Sequence, residues 1–189
     1  MSATPPQSAT LTRETSVSFS AELVTDPVGV TLEATPPTQL PEDAQKALLE
    51  NVKRRLVGQQ NNLIFQSVRV AHGTLRSYGA RNDYDIGPIM ETATIVETDL
   101  TPRRFHVRWG WRHEAAKYFQ FGVAPHTIDG TPILSFIWED APQEVRERFP
   151  NTERVGGDPR VFLGSVDHPG IPAARFVQAG LNWLRREVA

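Results

Sequence analysis

Along residues 103–111 the chain alternates strictly: Phe105, Val107, Trp109 and Trp111 are separated by His106, Arg108 and Gly110, with Arg112 next. A period of two means a strand with one apolar and one wet face. The β-branched run "METATIVET" (90–98) reads as a second strand. Thr101-Pro102 between them makes an antiparallel hairpin the natural pairing. Upstream, Ala44, Leu48, Val52 and Leu56 recur at four-residue spacing, which predicts a helix over 41–58. Pro41, Glu42 and Asp43 suit its start, and Lys53, Arg54 and Arg55 its end. Leu63, Ile64, Val68 and Ala71 place a second helix over 61–71, while the glycine-punctuated 72–88 reads as irregular apart from a turn near Leu75.

Farther along, "HEAAKYFQFGV" (113–123) predicts a short helix ended by Gly122. "ILSFIWE" (133–139) reads as a central strand, 141–149 as a short helix and 160–166 as another strand. The closing helix spans 171–188, with Pro172 at its first position and Val177, Gly180, Leu181, Leu184 and Val188 on one stripe. Near the other end, 16–35 holds two β-rich runs around Asp26-Pro27-Val28-Gly29, a hairpin set off from the rest by the proline-rich linker 34–41. The order of elements predicts an α+β fold: a mainly antiparallel sheet of about four strands covered by helices, with an N-terminal β-hairpin extension. A Ser/Thr/Pro-rich tail is expected over 1–15, then a single domain over 16–189.

Composition narrows the function. The chain has 189 residues, 39% hydrophobic and 22% charged, enough for one real core. A formal charge of −2 argues against a dedicated nucleic-acid binder, whose surface is strongly basic. With no cysteine, thiolate nucleophiles, disulfides and cysteine-based metal sites are excluded. No apolar run reaches the ~20 residues of a membrane span, and the first residues lack the pattern of a secretory signal.

Sequence motifs for phosphate binding, dinucleotide binding and a nucleophilic serine elbow are absent. His113-Glu114 begins like a zinc helix, but Lys117 stands where the second histidine is needed. His126, Asp129 and His168 lie in predicted loops and form the one candidate metal set, the basis of a metal-dependent enzyme reading. The plainer reading makes Asp129-Gly130 a turn and the histidines ordinary loop residues. Trp109, Trp111, Trp138 and Trp183 are expected in the core, with Trp111 and Trp183 as interface anchors if exposed. Arg103, Arg104, Arg108 and Arg112 cluster on one strand region and raise a nucleic-acid stacking surface as a third reading.

Three segments occur in order around the two predicted strands: "HGTLRSYG" (72–79), "AAKYFQFGVAPHTI" (115–128) and "VDHPGIPAARFVQAGL" (166–181). In that order and spacing they resemble the tail-completion, or neck (head–tail joining), family of long-tailed double-stranded DNA viruses. The likeness covers about residues 42–188, the family-like core being 41–189. Gln120 stands where that family often has Glu, and Val123 where it usually has Thr. The hairpin at 16–35 has no family counterpart and is expected to be an added contact arm.

The resemblance implies a structural virion protein that catalyses nothing and binds no cofactor or metal. It implies a closed ring of identical copies, commonly six, between the capsid connector and the tail tube. Partners would be further copies, the connector or head-completion proteins, and the tail terminator or tail tube protein. The viral genome would pass through the lumen without specific binding, and no membrane would be involved. The implied location is the virion neck, with host cytoplasm during assembly; a tail-terminator ring is the alternative. Candidate subunit or partner contacts are Tyr118, Phe121, Gly122, His168, Pro169, Gly170, Arg175 and Phe176. Phe176 is expected to point either into the core or across a subunit seam.

Overall fold

The alternating run becomes β4 (Arg104–Trp111), with Phe105, Val107, Trp109 and Trp111 all buried. The computed structural model describes residues 16–58 and 60–188, so the tail expected over 1–15 lies outside the described residues. The chain divides into two compact units. The first is built from the chain up to Phe121 together with the stretch from Ala174 on; the second is Gly122–Ala173.

In the first unit, β1 (Ser18–Thr25), β2 (Val28–Thr35), β3 (Ala93–Thr101) and β4 form one antiparallel sheet in the order β1-β2-β4-β3. The predicted N-terminal hairpin is therefore not an appendage. β2 pairs with β4 along its length, from Val28 opposite Trp111 to Ala34 opposite Phe105. Its inner residues Val28, Val30, Leu32 and Ala34 are as buried as those of β4. The linker 34–41 looked like a separator because prolines are read locally, whereas the pairing of β2 is long-range.

Three helices cover the apolar face: α1 (Glu42–Lys53), α2 (Leu63–Asn82) and α6 (Phe176–Val188). The expected helix over 41–58 is present, its last turn widened into a π-helical segment at Arg54–Gly58. α2 is much longer than the pattern suggested and absorbs most of the stretch read as irregular. Its buried residues continue at helical spacing through Ala71, Leu75, Tyr78 and Gly79, and Gly73 and Gly79 lower its propensity without ending it. Asn62 starts the helix by accepting the Phe65 N–H at 2.8 Å, and Asp83, at φ 55°, ends it. A short α3 (Gly87–Glu91) precedes β3. α4 (Ala115–Phe121) is the predicted short helix, followed by Gly122 at φ +78°.

The closing helix starts later than expected. Pro172 is not its first residue: the chain from Ile171 to Arg175 stays extended or turned, and α6 begins at Phe176 after Arg175 at φ +53°. Val177, Gly180, Leu181 and Leu184 fill its buried stripe as anticipated. Truncating a core aromatic such as Trp109 to Ala costs about 3–5 kcal/mol, a large share of a domain's ~5–15 kcal/mol of stability.

The second unit is a small sheet in the order β5-β7-β6 with one short helix: β5 (His126–Ile137), α5 (Gln143–Arg148), β6 (Arg154–Val155) and β7 (Asp158–His168). The strand predicted at 133–139 begins at His126 and lies at the sheet's edge, with β7 central. Arg146 holds the tip together, donating to Asp158 at 2.6 Å and to the Ala141 and Gly157 carbonyls at 2.8 and 3.0 Å. At the base, Val123 and Ile171 exchange two backbone hydrogen bonds of 2.8 Å.

Candidate functional site

Parts of the three segments that carry the viral resemblance meet within the first unit, while residues 122–128 and 166–173 of them belong to the second. "HGTLRSYG" lies on α2, "AAKYFQF" is the whole of α4, and "ARFVQAGL" leads into α6. Tyr78 of α2 meets Phe119 of α4 edge to face at 5.8 Å between centroids, and Tyr84 meets the same ring at 5.4 Å. Gln120, only 3% exposed, accepts the Val177 N–H through Oε1 at 2.8 Å. Ala174 donates its N–H to the Phe119 carbonyl at 2.7 Å. The α4 side chain thus satisfies one of the orphan donors in the first turn of α6. Phe176 then packs on Trp111, with centroids 5.0 Å apart.

One titratable group is built into this junction. The Trp111 indole N–H donates to His72 Nε2 at 3.0 Å, which leaves the neutral ring's proton on Nδ1. Burial, with the Arg76 cation second, holds His72 below the ordinary histidine range. Burial also pushes the Tyr78 phenol up, reinforced by Tyr84 and opposed by Arg81. Both shifts keep neutral groups neutral inside a packed seam.

The expected contact residues separate into two kinds. Tyr118 and Phe121, one turn apart on α4, are 43% and 50% exposed, and Arg175 is exposed. These remain available to a partner. Phe176 is fully buried and takes the core position, so its side chain is not offered across a seam. Within the second unit, Gly170 is buried at φ +84°, and a Cβ there would lie 2.3 Å from the Val123 carbonyl oxygen. Gly170 is a backbone requirement of the turn. His168 Nδ1 accepts the Gly170 N–H at 3.0 Å, while Pro169 beside it is exposed.

The candidate metal set is only partly assembled. His126 and His168 face each other across β5 and β7 with rings 5.1 Å apart. Asp129 lies opposite Ser165 instead. Among the described residues, no three His, Asp or Glu side chains are grouped to hold a metal ion. His126 Nδ1 sits 3.0 Å from the Ala124 carbonyl and so carries a proton there, whereas His168 uses Nδ1 as acceptor. The two rings are in different tautomers, each fixed by the backbone.

The arginine strand offers no stacking platform. The β4 aromatics are buried on one face, while Arg104 pairs with Asp99 and Glu33, and Arg108 donates to the Asp26 carbonyl, on the other. Of the tryptophans, Trp111 is buried and Trp138, in the second unit, is the exposed one. No helix among the described residues is long and apolar enough to cross a membrane. Compared with family models, curated proteins and solved structures, the chain matches none.

Sequence reasoning missed the exposed apolar surface of the second unit. Ile128, Ile133, Trp138, Val155 and Phe162 are all exposed, while Val161 is its one buried large aliphatic side chain. Leu134 opposite Leu163 and Phe136 opposite Val161 make apolar cross-strand pairs. The signal was present as apolar residues at consecutive positions in 133–138, which leave both faces of a strand apolar.

Proposed function

We propose that the chain is a structural subunit of a virus neck, assembling into a closed ring that completes the tail where it meets the capsid connector. The observation that carries this is the junction of α2, α4 and α6. Parts of the segments that resemble the tail-completion family, 72–79, 115–121 and 174–181, are separated by tens of residues in the chain and meet there through buried, directional contacts. A chance likeness of short strings would not be expected to coincide with one packed feature. Tyr118 and Phe121 project from that same helix as exposed aromatic anchors, the residue kind that dominates interface energies.

The second unit supports the same reading. A three-stranded sheet with so few buried apolar side chains is marginal alone, and its exposed residues suit burial against another subunit. The partners are further copies, the capsid connector or head-completion proteins, and the tail terminator or tail tube protein. The genome passes the lumen unbound, and the site of action is the virion neck. Negative-stain imaging tests this: purified protein should show rings with an axial channel that attach to isolated connector or tail-tube assemblies. Particles without a channel, attaching to neither, would refute it.

A further inference from the structure

The four-stranded sheet ends in two open edges, β1 and β3, of eight and nine residues. Long exposed edges are pairing templates that monomeric proteins blunt. Both edges here border apolar grooves. Beside β1 lies a groove of about 650 Å³ lined by Val17, Phe19 and Ala21, by Val52 and Arg55, and by Val188 and Arg185 from α6. Beside β3 lies one of about 210 Å³ that includes Ile64, Phe65, Val68, Ile95 and Trp109.

The two grooves share the sheet's helix-covered face. In register, Phe19 and Ala21 stand opposite the buried Ala34 and Leu32, and Ile95 opposite the buried Trp109. Ile95 and Phe65 are 43% and 49% exposed, and the Trp109 indole N–H is buried without an acceptor. Each edge is half of an apolar layer that stops abruptly.

We infer that β3 of one copy adds to β1 of the next, continuing the sheet from subunit to subunit around the ring. This rests on the ring reading above and names the surface that builds it. Direction favours it. Strands β1, β2, β4 and β3 alternate, so β1 and β3 run oppositely, and an operator that carries one sheet onto the next makes their junction antiparallel. Such a contact is heterologous and closes into a ring when its rotation closes. The occupant is thus a second copy, joined by backbone hydrogen bonds and a shared apolar layer.

The absence of cysteine makes the test clean. Ser20→Cys and Glu97→Cys lie on β1 and β3, on the face away from the helices. A bismaleimide of about 8 Å cannot join them within one chain, where three strand spacings set them roughly 14 Å apart. The double variant should give a ladder of covalent multimers ending at one size, and each single variant none. Phe19→Lys or Phe65→Glu, both at exposed or half-exposed positions, should abolish the ladder while circular dichroism stays unchanged. Rings that form without the cross-link would overturn this pairing and leave the ring reading standing. An unending ladder would uphold the pairing and refute the closed ring. Dimers from a single variant, or no cross-link at all, would overturn the pairing.

Discussion

Two helix-interior glycines should respond oppositely to the same substitution. Gly180 lies in α6, where a Cβ would fall 2.7 Å from the Ser67 carbonyl oxygen of α2, 3.1 Å from Ser67 Oγ and 3.3 Å from Ala71 Cβ. Gly73 lies in α2 with nothing within 4 Å of its absent Cβ. Alanine is favoured over glycine in a helix interior by about 0.8–1.0 kcal/mol, and Gly73→Ala should realise that gain. At Gly180 the same gain meets overpacking, which typically costs about 1–3 kcal/mol. The obstruction is a backbone carbonyl inside α2, which cannot swing aside as a flexible side chain would. The clash therefore wins, and Gly180→Ala should lose about 1–2 kcal/mol. For a chain of this size 1 kcal/mol moves Tm by about 2–4 °C, so the two variants should melt roughly 4–12 °C apart. Differential scanning calorimetry reads this directly. Equal Tm values, or a rise for Gly180→Ala, would refute the close approach of α2 and α6.

The junction gives further tests. Gln120→Met keeps the volume but strands the buried Val177 N–H, costing about 1–3 kcal/mol by urea unfolding. Because His72 is held below its ordinary value, the unfolded chain takes up the proton first as pH falls. Its contribution is complete above the ordinary value of 6.5 and is lost as pH drops through the lower folded value. Urea midpoints between about pH 5 and 8 should fall more steeply at the acid end for the native chain than for His72→Gln. In the second unit, Gly170→Ala forces a side chain into a left-handed turn and against the Val123 carbonyl. Hydrogen exchange should then show the Val123 and Ile171 amides losing protection. Phe121→Glu, at an exposed position, should leave Tm within ~2 °C of native while abolishing attachment to connector or tail tube.

What could be read from the sequence was what local periodicity encodes. The β4 alternation and the α6 stripe appear where their spacing placed them, because burial on one face dictates that spacing, whereas α1 turns Leu49 inward and leaves Ala44 of its expected stripe exposed. The length of α2 was hidden by Gly73 and Gly79, which are usually punctuation. Here Gly79 is required because a Cβ would meet the Tyr84 carbonyl at 2.9 Å. The place of β2 inside the sheet depends on partners more than seventy residues away, and no local pattern records them. Phe176 was legible as apolar but not as core or seam, since both bury an aromatic; its contact with Trp111 decides. The histidine pair was expected in loops, but His126 opens β5 and His168 ends β7, a register across the sheet that no local pattern records.

The central claim is that identical copies of this chain close into a ring. Native mass spectrometry of the purified protein at micromolar concentration tests it most directly. The account predicts one dominant closed species, six copies of the 21.1 kDa chain, with no ladder above it. A monomer that persists as concentration rises, or an open series of sizes, would contradict it.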